Sequence, residues 1–154
     1  MSGVENLWRL QVISLRRNPL TSLDPLADLQ EFSRVDAYLC DSLTDISAVV
    51  GKQSMMSLLL HHNQIASLPD MGTMPNLFAL VLADNQIVDV SPLSTLNTPG
   101  LTIDVGSNAI TTGIADLVTL TDISSIDFRY NNSIPSADLD TLEAAIGAEK
   151  VIRP

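Results

Sequence analysis

The chain has 154 residues, 45% of them hydrophobic, with eight Lys and Arg against eighteen Asp and Glu and a formal net charge of −10. That length and apolar fraction suffice for one folded unit, while the acidic balance argues against nucleic acid, whose phosphates demand clustered Lys and Arg. A single Cys excludes an intrachain disulfide and supplies no Cys pair for zinc, and the absence of a run of about 18 apolar residues argues against membrane insertion.

At the amino end, "MSGVENLWRL" has neither a basic start nor a continuous apolar stretch, so it does not read as a signal peptide. Leu7 and Trp8 are expected to lie over the apolar interior of the segment that follows; the alternative is a missing upstream cap or a self-association edge. From Leu10 a pattern begins. Leu10, Ile13 and Leu15 suit a strand with one buried face. Asn18 follows, and then Leu20, Leu23 and Leu26 fall at three-residue spacing, which suits a tight turn or 3₁₀ step with one buried edge. A chain that changes period in so short a span bends around a core.

The template returns five times. It recurs at Phe32, Val35, Ala37, Cys40, Leu43, Ile46 and Val49, with one extra residue after the anchor, and at Met55, Leu58, Leu60, Asn63, Ile65, Leu68 and Met71. A further copy runs Leu77, Leu80, Leu82, Asn85, Ile87, Val90, Leu93. Two more are Ile103, Val105, Asn108, Ile110, with Gly100 in the place of the first apolar residue and Leu101 beside it, and Ile123, Ile126, Phe128, Asn131, Ile134. The anchors fall at positions 18, 40, 63, 85, 108 and 131, steps of 22 or 23 residues. In "LDPL" and "DVSPL" an Asp can cap a short helical turn and a Pro fits its first position. "SADLDTLEAAIG" predicts a helix over 136–147, with Ser136 as N-cap, Leu139, Leu142 and Ile146 on one face and Gly147 past the end; "KVIRP" can add a short edge strand.

The pattern L-x-x-L-x-L-x-x-N-x-L at this period resembles the leucine-rich repeat, and "NQIVDVSPL" and "SLTDISAV" resemble the short repeats of bacterial internalin-like proteins. The resemblance implies an α/β right-handed solenoid, with a parallel β-sheet on the concave face, short 3₁₀ or turn segments on the convex face and a C-terminal capping helix. One such domain would occupy residues 1–154 as six repeats and a closing helix. "GVENLWRL" reads like a tail leading into a first full repeat, so the chain is expected to be an excerpt of a longer protein.

Repetition turns each position into a column with rungs about 4.8 Å apart. The Asn column sits where the chain leaves the strand and must satisfy backbone groups stranded by the turn. Cys40 interrupts it as a small buried substitute with a weak S–H donor. Residues between the inward ones point into the concavity. The central outward column is Ser14, Asp36, Leu59, Val81, Asp104, Asp127, and beside it run Arg16, Tyr38, His61, Ala83, Gly106, Arg129. Leu101 is placed outward with them. The outward set holds four of the eight basic residues and four of the eighteen acids, so the strip is locally balanced on an acidic molecule. Apolar residues in the middle with Arg, Tyr and Asp around them have the composition of a protein-binding patch. The candidate contact residues are Arg16, Arg34, Asp36, Tyr38, Leu59, His61, Val81, Arg129 and Tyr130.

Three constellations invite chemistry. His61 and His62 could offer metal nitrogens, but adjacent strand residues diverge and no third ligand has the spacing. Asp104 and Asp127 should be column neighbours, which raises one pKa of the pair unless Arg129 or a cation intervenes; a carboxylate pair on an open ladder lacks a pocket to differentiate the two acids. Tyr38 with Asp36 and His61 has hydrogen-bonding reach but no nucleophile. The sequence therefore reads as a non-catalytic binding module for a protein partner, with no cofactor and no metal. Carbohydrate binding through Tyr38, Tyr130 and nearby Asp residues is one alternative, lowered by a lone Trp outside the concavity. A purely structural repeat segment of a larger surface protein or enzyme is the other. The resemblance implies protein or glycan ligands at a bacterial surface, and so favours an extracellular location.

Overall fold

The computed structural model describes residue 7 and residues 9–154. Seven short strands form one parallel sheet in chain order: β1 (Val12–Ser14), β2 (Arg34–Asp36), β3 (Ser57–Leu59), β4 (Ala79–Val81), β5 (Thr102–Asp104), β6 (Ser125–Asp127) and β7 (Val151–Ile152). Their middle residues share one register: Ile13, Val35, Leu58, Leu80, Ile103 and Ile126 are successive partners, and Val151 follows Ile126. From Val35 to Ile126 these side chains are essentially without solvent exposure. Each inward residue meets its counterpart one rung away, so burial of one copy depends on the next.

The return segments carry 3₁₀ turns at Asp24–Leu26, Ser47–Val49, Ser91–Thr95 and Ile114–Thr119, whose buried residues Leu26, Val49, Leu93 and Leu117 close the coil opposite the sheet. The segment joining β3 to β4, "LPDMGTMPN", has no helical turn; Pro69 and Pro75 punctuate it, and Asp70 Oδ1 accepts the Gly72 N–H at 2.9 Å. Two isolated parallel bridges, Ser22 to Asp45 and Asp89 to Thr112, join return segments of neighbouring coils. Asp89 stands one place before the cap position, which Val90 occupies, and its Oδ1 accepts the Ser91 N–H at 2.9 Å. Asp24 does not cap: it lies inside its turn, and its Oδ2 takes the Ser22 hydroxyl instead.

The Asn column is a hydrogen-bonded ladder. Asn131 Nδ2 donates to Val105 O of the preceding coil and to Phe128 O of its own, at 2.9 and 3.0 Å, while its Oδ1 accepts the Ile110 N–H at 3.3 Å. Asn108 and Asn85 repeat this three-point arrangement one coil earlier each time, and Asn63 keeps both donor bonds while its Oδ1 accepts the N–H of the preceding anchor itself, Cys40, at 2.9 Å. Cys40, fully buried, keeps a donor contact, its Sγ lying 3.1 Å from Leu15 O. The Leu20 N–H turns to Asn18 O at 2.8 Å, and the backbone N–H groups of Asn18 and Arg17 face the sulfur instead. Burial raises the Cys40 thiol pKa, so the sulfur stays a neutral donor.

The two ends differ. At the carboxyl end α1 (Ser136–Ile146) lays Leu139, Leu142 and Ile146 over the last coil, and Gly147 ends it at φ 107°. Ser136 is the first helical residue rather than the N-cap: Pro135, whose ring sets φ near −60°, occupies the cap position without a side-chain bond. Arg153, just after β7, donates Nε to Glu143 Oε1 at 2.6 Å and also pairs with Asp140, tying strand to helix. At the amino end Leu10, Ile13, Leu15 and Leu20 are only partly buried. Leu7 is 48% exposed, and Trp8 lies outside the described residues. Leu101 also departs from expectation. It is fully buried, because the turn at Gly100 (φ 78°) offers no side chain and Leu101 swings inward to fill the place.

Candidate functional site

With the middle residue of each three-residue strand turned to the core, its neighbours on either side point into the concavity. The residue before each anchor adds another column by an unusual route. Arg17, Leu39, His62, Asp84, Ser107 and Tyr130 all adopt positive φ, between 52° and 64°. None is Gly, so each carries a left-handed penalty of about 1–2 kcal/mol, and each projects its side chain at the exit edge of the sheet.

The third strand residues Leu59 and Val81 are register partners on β3 and β4, both half-buried. Beside them at the strand-entry edge stand Met56, 45% exposed, and Phe78, 51% exposed, joined by a Phe78 N–H to Met56 O bond of 2.9 Å. These four form an apolar patch across the third and fourth repeats. It lacks any charge. Periodicity places all four outward, but it singles out only Leu59 and Val81 as contacts, because Met56 and Phe78 precede the strand centre.

An ion pair stands on each side of the patch. Arg16 reaches Asp36 with Nε and one terminal nitrogen at 2.7 Å. Burial alone would raise the Asp36 pKa, but the Arg16 guanidinium and the Tyr38 N–H outweigh it and hold the carboxyl below its usual range; Arg16 is raised in turn. On the far side Arg129 donates Nε and a terminal nitrogen to Asp127 Oδ2 at 2.8 and 2.6 Å. Asp127 and Asp104 are register partners as the repeat requires, and Arg129 is the cation paired with Asp127. Asp104 Oδ1 accepts the Gly106 N–H and Asp127 Oδ1 the Arg129 N–H, both at 2.9 Å, so each acid also pins the residue two places on.

Tyr38 and His61 stack, with ring centroids 4.4 Å apart and planes inclined 25°. The two histidine rings, expected to diverge, lie 5.7 Å apart, because the positive φ of His62 turns it back toward its neighbour. His62 Nε2 lies 3.4 Å from Asp84 Oδ2. Burial lowers the His61 pKa, helped by His62, and the buried Nδ1 has no hydrogen-bond partner. Among the described residues no three His, Cys, Asp or Glu side chains converge as a metal requires.

Beyond the patch, Ala83, Asp84, Asp104, Gly106, Ser107, Asp127, Arg129 and Tyr130 line a shallow hollow of about 200 Å³. Gly106 opens its floor, and Tyr130, 70% exposed, forms a wall.

No protein-family model and no curated protein matches the sequence. Among solved structures, internalin C2 of Listeria monocytogenes superposes with a TM-score of 0.83 at 27% identity, covering 98% of this chain and 64% of that one. The chain has an internalin-like leucine-rich-repeat fold. Internalin F of the same organism superposes with a TM-score of 0.59 at 22% identity over 97% of this chain and 49% of its own. A leucine-rich-repeat protein of Leptospira interrogans gives 0.58 at 17%, over 96% and 50%; at such identities these two speak to the fold alone. The chain thus spans 64% of the length of internalin C2 and about half that of the other two.

Likeness to internalins suggests a protein-interaction module in general. In this internalin-like frame the nine residues singled out from sequence fall into four pairs and one residue alone. Arg16 and Asp36 are bonded, Tyr38 and His61 are stacked, and Leu59 and Val81 share the apolar patch. Arg129 and Tyr130 flank the hollow, while Arg34 projects from β2 into solvent. Among the described residues no helix is long and apolar enough to cross a membrane.

Proposed function

We propose that the chain is a non-catalytic recognition module that binds a protein partner through its concave β-face, at a bacterial surface and within a single repeat domain spanning the chain. The observation that carries this reading is the uncharged patch of Met56, Leu59, Phe78 and Val81, held on a hydrogen-bonded ladder and bracketed by the Arg16–Asp36 and Arg129–Asp127 pairs. Apolar centre and polar rim are the anatomy of a protein interface. The ladder holds these side chains in place before any partner arrives, which reduces the ordering lost on association. A chemical step has little support in the side chains present: the Asp104 and Asp127 carboxylates hold their own backbone turns, and Asp127 is bound by Arg129.

Pull-down mass spectrometry with wild type beside Leu59→Glu tests the reading. Partners lost with Leu59→Glu support the concave face; identical partner lists move the site elsewhere. A glycan ligand is favoured by one feature only, the open ring of Tyr130 over the hollow, since Tyr38 is covered by His61. A glycan array on which Tyr130→Ala binds as wild type does removes that alternative.

A further inference from the structure

The charges of the concave face do not cancel uniformly along the solenoid. Two of the four arginines and two of the four aspartates neutralise one another inside the Arg16–Asp36 and Arg129–Asp127 pairs. What remains is segregated. Arg17 and Arg34 belong to the first two repeats, both exposed, and among the described residues no carboxylate pairs with either. Asp84 and Asp104 belong to the fourth and fifth repeats and open onto the hollow. Arg17 and Asp84 occupy the same column three rungs apart, as Arg34 and Asp104 belong to strands three rungs apart, a span of about 14 Å. Between the two ends lies the uncharged patch.

From this we infer that the partner presents a bipolar surface: carboxylates to the first two repeats, apolar side chains over β3 and β4, and an ammonium or guanidinium group in the hollow beside Tyr130. The inference rests on the concave-face reading above and adds its polarity. Charge complementarity carries it. Like charges placed in contact are penalised and opposite ones steer and orient the encounter, so a partner of uniform sign meets repulsion at one end whichever way it lies. The cationic end stands out further because the chain outside this face carries four basic residues against fourteen acids. At the anionic end, Gly106 leaves room beside Asp84 and Asp104, with which no Arg or Lys among the described residues forms an ion pair, and the exposed Tyr130 ring offers a face to a cation. A helix bridging the span would need about nine residues between its charged groups, at about 1.5 Å of rise each.

The test uses three acetylated, amidated helical peptides with one shared apolar stripe: acidic at one end and basic at the other, acidic at both, or basic at both. Each is titrated into the full chain at low salt and followed by backbone amide NMR shifts. The bipolar peptide should bind about tenfold more tightly than either uniform one. Arg17→Glu with Arg34→Glu should shift the preference to the doubly basic peptide. Asp84→Lys with Asp104→Asn, the Asn keeping an acceptor for the Gly106 N–H, should shift it to the doubly acidic one. The four changes together should restore the bipolar preference. Equal binding of all three peptides, or a ranking indifferent to these changes, overturns the polarity; if Leu59→Glu still weakens every peptide, the concave face survives as the site. Shifts that map off the face, or none at millimolar peptide, overturn the polarity and the face together.

Discussion

The inward and outward columns of the same strands obey different rules. Inward, Val35, Leu58, Leu80, Ile103 and Ile126 vary only among branched aliphatic residues. Outward and one residue on, Asp36, Leu59, Val81, Asp104 and Asp127 change from acid to aliphatic and back. The inward residues answer to the neighbouring copy, which demands the same shape on every rung. The outward ones answer to partners that differ from rung to rung: Asp36 and Asp127, both buried, are held by Arg16 and Arg129 and Asp104 takes the Gly106 N–H, whereas Leu59 and Val81 have no polar partner to satisfy. The positive-φ column sharpens the point, since exposed Arg17 and Tyr130 sit where Gly would relieve the strain.

The largest effects should follow from breaking an inward rung. Leu80→Ala is expected to cost about 2–5 kcal/mol in urea unfolding, whereas Val81→Ala, one residue away and half-buried, should cost under about 1.5. Equal losses would erase the distinction between the columns. Gly113→Ala belongs with the severe changes, at about 3 kcal/mol or more, because a Cβ there would meet Asp89 Oδ1 and the Ser91 nitrogen at 2.3 Å on a φ of 88°.

Next comes a gradient within one column. Asn131→Ala leaves the Ile110 N–H unmet in the interior, at about 1–3 kcal/mol, while Val105 O keeps Asn108 Nδ2 and Phe128 O keeps the residue-131 N–H. Asn18 is exposed and bonds only to Leu15 O and Arg16 O of its own coil, so Asn18→Ala should cost under about 1 kcal/mol. Urea midpoints of the two variants decide whether the bond to the preceding coil is what matters.

A subtler effect is pH-dependent. Burial depresses the His61 pKa, so the folded chain resists a proton that the unfolded chain accepts near 6.5. Stability is then full above that pH and declines as pH falls toward 5; His61→Gln should flatten this slope in melting temperature. Smallest is Ser107→Gly, at φ 52°, where relief of left-handed strain less the added flexibility of the unfolded chain leaves a gain of up to about 1 kcal/mol.

Much of the molecule is legible in the letters, because a solenoid contact joins like to like. The spacing from Leu80 back to Leu58 predicts that they touch, and the Asn anchors predict a ladder whose partners are the same carbonyl one coil earlier. Local periodicity also marks Leu139, Leu142 and Ile146 as the face of a closing helix. Where that rule is broken, sequence misleads: Leu101, next to a Gly, turns inward, and Pro135 rather than Ser136 stands at the helix cap. The concave face follows no repeated rule. That Arg16 clasps Asp36 while Arg17 stays open, that His62 folds back beside His61, and that Met56 and Phe78 emerge at the rim depend on side-chain rotamers and backbone turns set by several rungs at once. Spacing along a chain can say which residues face inward, since every rung repeats that choice; it cannot say how unlike side chains arrange themselves across rungs, which only their packing in three dimensions decides.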